Sequence, residues 1–309
     1  MEINLLNSAL ALFDANKRLY WPYIFSSLLI AWMYLLMHKK ERRINLSKKL
    51  WLHKSAILDY KYFVVSFFIK TLLIVPLVMS INEVSLFTYE YLLDSYGFMQ
   101  VKSLSYTQVM ILFTVSLFVV SDFTRYWLHR LLHKVPFLWE FHKVHHSAKV
   151  LTPITFYRVH PIENLLYGLR YALSIGFTTG LFIYFFGAMI TVFDILGVNI
   201  LLFLFSLAGS NLRHSHIKIT YPQTLEKIFI SPYAHQLHHS RKYMHTNFGG
   251  YLSIWDGLFK TLQSSRESLS LQEKINFGVS HQEFQSLRAL LLTPFKNIFT
   301  LKKGIQNAK

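Results

Sequence analysis

Four groups of histidine could carry chemistry in this sequence: His129-Arg-Leu-Leu-His133, His142-Lys-Val-His145-His146, Arg213-His214-Ser-His216 and His235-Gln-Leu-His238-His239. On a helix, residues at i, i+3 and i+4 share a side, so each HxxHH triad directs three imidazoles one way and HxxxH directs two. Neutral imidazole is a good ligand for iron and zinc. Such faces, brought together, can surround two metal ions and leave open positions for dioxygen. With 15 histidines in 309 residues, one HxxHH triad arises by chance only on the order of a few hundredths of a time in a chain of this length. Two are present. The chain has no cysteine, so any metal must be held by imidazole or carboxylate.

Other titratable residues stand around these groups. His160, in Arg158-Val-His160-Pro161-Ile-Glu163, precedes a proline turn and is open to two readings, ligand or structural hydrogen-bonding group. Asp122 lies seven residues before His129, on the same helical side. It and Glu163 are the candidates to orient a ligand imidazole from behind. Asp194 reads as a turn residue, His245 as a possible extra ligand, and His38, His53 and His281 as solvated or interfacial side chains.

The elements that must position these residues are membrane helices. The sequence is 52% hydrophobic and 17% aromatic with a mean hydropathy of +0.30, and no linker or internal repeat divides it. A first apolar run spans about Trp21–Met37 behind an aromatic belt. No small-residue cleavage site follows it, so it reads as a retained span and not a signal peptide. A basic loop of Lys39, Lys40, Arg42, Arg43, Lys48, Lys49, Lys54 and Lys61 places residues 38–61 in the cytoplasm. Further spans are expected over about 62–81 and 109–128, with 82–107 closing the first hairpin on the far side. The long apolar run 165–208 reads as a hairpin of two spans. An even number of crossings returns the chain to its starting side, where the histidines before and after the hairpin can meet. The net charge of +16 is then a matter of orientation and anionic lipid, not of nucleic acid.

At these residues the chain resembles the fatty acid hydroxylase superfamily, which includes sterol desaturases, sterol methyl oxidases and alkylglycerol monooxygenase. The likeness covers about Asp122 to Leu262. It places the family's HxxxH on His129 and His133, its first HxxHH on His142, His145 and His146, its last on His235, His238 and His239, and its isolated histidine on His214. His216 stands where the family often has asparagine, which leaves its role open as ligand, hydrogen-bond donor or neutral replacement. Leu138-Trp139, Asn247-Phe248-Gly249 and Ile254-Trp255-Asp256-Gly257 also fit. The resemblance implies two irons, dioxygen as co-substrate, an external electron donor and a lipid substrate entering from the bilayer.

The expectation is therefore an all-α, multi-spanning membrane helix bundle whose cytoplasmic histidine-rich helical cap holds a dinuclear metal site. Residues 1–110 would form N-terminal spans and the basic loop, 111–262 the catalytic domain, and 263–309 a cytoplasmic or membrane-surface tail. The membrane would be the inner membrane of a bacterium or the endoplasmic reticulum of a eukaryote. The activity implied is hydroxylation or desaturation of a sterol, fatty acyl or ether lipid. No GxGxxG after a strand and no His-Pro-Gly-Gly segment occurs, so electrons would come from a separate reductase. Two rivals remain open: a zinc membrane hydrolase, though Arg130 and Lys143 stand where HExxH would have its base, and a non-enzymatic metal- or haem-binding membrane protein.

Overall fold

A computed structural model describes residues 11–101, 103–187, 190–271, 275–279 and 283–306; His281 lies outside them. The fold is a helical bundle capped by short helices, and among the described residues the only named strands are the two-residue pairs Asp194–Ile195 and Val198–Asn199. Three stretches are long and apolar enough to cross a membrane: Lys54–Tyr96, Tyr106–Lys134 and Pro161–Phe186. A further apolar helix, α1 (Trp21–Met37), is shorter.

The first long stretch is built in pieces. Helix α2 (Lys54–Ile69) passes through a π-turn at Lys70–Ile74 and a 3-10 turn at Val75–Leu77. Pro76 within that turn cannot donate to an α-helical ladder. The chain restarts as α3 (Ile81–Tyr96) under a capping box between Ser80 and Glu83. The segment 82–96, expected beyond the membrane, instead continues the stretch alongside a later helix. Its apolar and small residues Val84, Ser85 and Thr88 face inward, while Glu83, Glu90 and Asp94 are exposed.

Helix α4 (Tyr106–Lys134) returns, a turn at Pro136 opens α5 (Pro136–His146), and α6 (Pro161–Phe186) runs out again. Helices α3 and α6 run in the same direction, with Gly168 at Val78, Gly176 at Val84 and Gly180 at Thr88. A Cβ on Gly176 would come within 2.6 Å of Val84, and one on Gly180 within 2.6 Å of Ser85 O. Small residues four apart let membrane helices approach until their backbones nearly touch, which lipid cannot drive by hydrophobicity alone.

The return limb after α6 is shorter than the sequence suggested. Gly187 ends α6 at φ +57°, and Asp194 accepts the Gly197 amide in a small ribbon. Helix α7 (Ile200–Leu207) has only eight residues, about 12 Å. The ribbon is tied at its base to α4, where Phe193 N donates to Thr114 Oγ1 and Asn199 Nδ2 to Thr114 O, while Asp194, Leu196 and Gly197 at its tip are exposed. A short helix thereby suffices to bring the chain back to His214. The basic loop stands on the same side as this cap: Asn45 Nδ2 donates to His216 O and Lys149 N to Ser55 Oγ.

Candidate metal centre

The nine histidines of the HxxxH motif, the two triads and His214 come together in two adjoining sets. His129, His133, His142, His146 and His238 form one, and His145, His214, His235 and His239 form the other. Within each set the nitrogen atoms that could ligate lie within 4.8 Å of one another. None of the nine side chains is more than 8% exposed. The sets touch where the rings of His146 and His239 stack at 4.6 Å.

The triads are divided between the sets. His142 and His146 serve one while His145 serves the other; His235 and His239 serve the second while His238 crosses to the first. Helix geometry explains this. At about 100° per residue, i+4 is displaced roughly 40° one way from i and i+3 roughly 60° the other way. A triad on one side of a helix can therefore address two centres side by side. The sequence reading of a single shared direction was too coarse by this angle.

Each triad is held from outside. Helix α5 opens on Pro136 and ends at Ser147; α8 (Pro232–His238) opens on Pro232 behind Ser231, whose hydroxyl accepts the Ala234 amide. His214 sits on a 3-10 turn entered through Gly209 at φ +88°, a left-handed conformation that favours glycine. Gln236 donates to Leu212 O and Ile217 O, tying α8 to that turn.

Four imidazoles are oriented through Nδ1. His129 donates to Phe248 O at 2.8 Å, His142 to Glu163 Oε1 at 2.9 Å, His145 to Arg158 O at 3.2 Å and His238 to Thr246 O at 2.7 Å. A carbonyl or carboxylate only accepts, so each bond puts the proton on Nδ1 and leaves the Nε2 lone pair inward. Burial holds His145 down to about 3. Burial, reinforced by neighbouring imidazoles, holds His142, His146, His214, His235, His238 and His239 well below the ordinary histidine range. The rings are neutral at pH 7 and able to ligate.

The donor set fits metal. His214 Nε2 lies 3.2 Å from His145 Nε2, 3.3 Å from His235 Nε2 and 3.0 Å from His239 Nε2. An imidazole nitrogen can donate to one neighbour at most, so hydrogen bonding cannot satisfy this group. Ligand edges of about 3.0–3.4 Å are those expected around a cation with nitrogen bonds of about 2.1 Å. In the other set, both ring nitrogens of His133 and of His146, and Nε2 of His142 and His238, are buried without a hydrogen-bond partner. Such orphaned groups are costly unless a ligand answers them.

The remaining sequence candidates fall elsewhere. His160 is set apart from both histidine sets and caps α6: its Nδ1 accepts Ile162 N and its Nε2 donates to Leu291 O. His216 also stands apart, with Nε2 accepting Leu151 N and its ring against Phe277. His245 reaches the ring of His133 at 5.8 Å without entering either set. Asp122 touches no imidazole. It accepts Tyr251 N, Leu252 N and Trp255 Nε1, clamping the loop whose Phe248 carbonyl receives His129.

Two contributors escaped the sequence reading. Asp256 accepts Phe248 N and Gly249 N and so shapes the same loop. Arg158 presents its backbone oxygen to His145 while its guanidinium is buried against Asp59 at 2.8 Å. The Asp256 signal was present in Asn247-Phe248-Gly249 and Trp255-Asp256. The carbonyl partners have no signal, since every residue has a carbonyl.

The residues 114–261 that hold these sets match the family model described as fatty acid hydroxylase. Over this segment, just under half of its length, the chain is similar to the fatty acid hydroxylase family. It is 31% identical over 180 residues to ornithine lipid hydroxylase OlsE of Rhizobium tropici, covering 57% of this chain and 48% of that protein. It is 29% identical over 168 residues to human alkylglycerol monooxygenase, covering 54% and 33%. The rice very-long-chain aldehyde decarbonylase GL1-7 is 28% identical over 156 residues, 48% and 22%. The chain thus spans about half or less of the length of these relatives. No solved structure matches it.

Among the described residues, the hydrogen bond from His142 to Glu163 is the one orienting contact made by a carboxylate side chain. Glu163→Ala is expected to weaken metal retention about 10–100-fold, read as metal content after dialysis against graded chelator. Glu163→Gln retains most of the affinity, because its amide oxygen still accepts the Nδ1 proton.

Proposed function

We propose that the protein is an integral membrane oxygenase that uses two irons, held by the nine histidines, to hydroxylate or desaturate a lipid. The observation that carries this reading is the pair of adjoining, buried imidazole sets: in one the Nε2 atoms of His133, His142, His146 and His238 have no partner, and in the other the Nε2 atoms crowd one another at 3.0–3.3 Å. Relatives named as lipid hydroxylase and monooxygenase support the lipid and the oxidation. The catalytic unit in this reading is 111–262, flanked by 1–110 and by the tail 263–309.

His129, His133, His142, His146 and His238 would hold one iron, and His145, His214, His235 and His239 the other. Bound there, the irons supply reductive activation of dioxygen and oxidation of an unactivated C–H bond. The chain supplies placement. Glu163 and the carbonyls of Phe248, Arg158 and Thr246 fix four ring orientations before metal arrives, which reduces the reorganisation needed on binding. Burial of all nine rings keeps bulk water from the reacting carbon. Glu163 lies behind His142, on the Nδ1 side, so it is poorly placed as a general base on the metal side. That disfavours a zinc hydrolase.

The cap shares its side with the basic loop 38–61, which under the positive-inside rule is the cytoplasmic side. Electrons then come from a separate cytoplasmic donor. An acidic carrier would be steered to this loop and to Arg130, Lys134, Lys143 and Lys149. Purified protein is expected to bind close to two irons per chain by elemental analysis, and to turn over only when a reductase system is added. Oxygen-consuming turnover with NADPH and lipid alone would sink the external-donor reading. Rates indifferent to ionic strength would sink its electrostatic part, and activity in metal-free protein would sink the whole.

A further inference from the structure

Next to the histidine sets the fold gathers four arginines whose charges have no assigned task. Arg18 precedes α1, Arg125 lies one turn before His129 on α4, Arg170 lies on α6, and Arg213 immediately precedes His214. The guanidinium of Arg213 stands 5.4 Å from the ring centre of Tyr251, and that of Arg125 stands 5.5 Å from it. Arg18 lies 4.0 Å over Phe156, whose ring meets His214 at 5.8 Å. Arg18, Arg125 and Arg213 act electrostatically on one another, and Arg125 acts on Arg170.

Arg213 is only 3% exposed, and its Nη2 has no hydrogen-bond partner. Its other terminal nitrogen donates to Gly250 O, while Arg18 donates to Ser210 O and Arg170 to Ser121 O and Thr124 Oγ1. Among the described residues, none of the four forms an ion pair with a carboxylate. Asp122, the acid beside Arg125, is already engaged by three donors. Four half-buried or buried guanidiniums thus share one nearby acid, Asp122, and Arg213 is buried with a donor left over, which is unfavourable without a further anion; guanidinium groups match phosphate and carboxylate oxygens in charge and fork geometry.

We propose that this arginine corner seats the anionic headgroup, a phosphate or carboxylate, of the lipid substrate. The inference rests on the reading of the histidine sets as a lipid oxygenase and adds the substrate's charge and orientation. Because Arg213 adjoins His214 and Arg125 lies one turn from His129, a lipid held here presents the carbons near its headgroup to the histidines. The far end of its chains extends toward the bilayer.

The test is binding to the purified 309-residue chain in neutral detergent, read by tryptophan fluorescence, with metal content measured on the same samples. Probes are short-chain phosphatidic acid against the diacylglycerol of the same chains, myristate against myristyl alcohol, and inorganic phosphate. The charged member of at least one lipid pair is expected to bind about tenfold or more tightly than its neutral partner, and far more tightly than inorganic phosphate. Arg18→Gln and Arg125→Gln each reduce that affinity about tenfold, Arg125→Lys recovers part of it, and iron content is unchanged. Equal binding of charged and neutral lipids, saturation by inorganic phosphate at the same affinity, or unaltered affinity in both glutamine variants would overturn the proposal. Should a variant not fold, the wild-type comparison among probes still decides. Failure of the oxygenase reading shows separately, as absent iron or absent oxidation.

Discussion

His146→Ala or His239→Ala is expected to abolish lipid oxidation, lowering it by more than the roughly 10–100-fold typical of outer-sphere changes, while the protein still inserts in the membrane. These two rings stack at 4.6 Å at the junction of the two histidine sets, so each change removes an imidazole where the sets adjoin. Iron per chain is expected to fall in parallel with activity. Insertion depends on the apolar stretches Lys54–Tyr96, Tyr106–Lys134 and Pro161–Phe186, which contain neither residue. Membrane fractionation, elemental analysis and product formation on the same preparations check this. Wild-type turnover in either variant would exclude that histidine as an essential ligand.

Asp59→Ala is expected to be the most destabilising single change behind the site, at about 3–5 kcal/mol, because it strands a buried guanidinium. Arg158 and Asp59 are each 1% exposed. Arg158 Nη1 donates to Asp59 at 2.8 Å, Nε to Val144 O and Nη2 to Phe284 O, while Asp59 Oδ2 accepts Thr155 Oγ1. The pair joins α2, the end of α5 and the segment before α9 (Leu287–Gln306). The Arg158 carbonyl also receives His145, so loss of the pair should loosen the second histidine set. A lower thermal midpoint together with weaker iron retention is the expected result. The double change Asp59→Leu with Arg158→Met should regain thermal stability, since apolar replacements of a buried pair are often neutral. A midpoint for Asp59→Ala within about a degree of wild type would refute the account.

The local pattern of the chain was sufficient for the helical class and for singling out the eight histidines of the HxxxH motif and the two triads, which the structure gathers with His214. Apolar runs of membrane length and imidazoles at i, i+3 and i+4 are set by neighbours in sequence, and helix geometry turns that spacing directly into a shared side. The motif residues around Phe248 were visible for the same reason.

What the sequence left undecided depended on contacts between distant segments. His160 and His216 look like His214 in sequence, but backbone partners at Leu291 and Leu151 engage them outside the histidine sets. The assignment of His145 and His238 to the set opposite their neighbours follows from how α5 and α8 face each other. The return limb after α6 was overestimated because apolar composition reports burial or lipid contact, not length. A ribbon lodged against Thr114 lets eight residues of helix complete the return. Asp122, open in sequence between orienting an imidazole and being a plain helix-facing acid, accepts instead from the backbone of residues 251 and 252, over a hundred positions away. Spacing along the chain fixes which side chains can face together, whereas the long-range packing of helices fixes what they face.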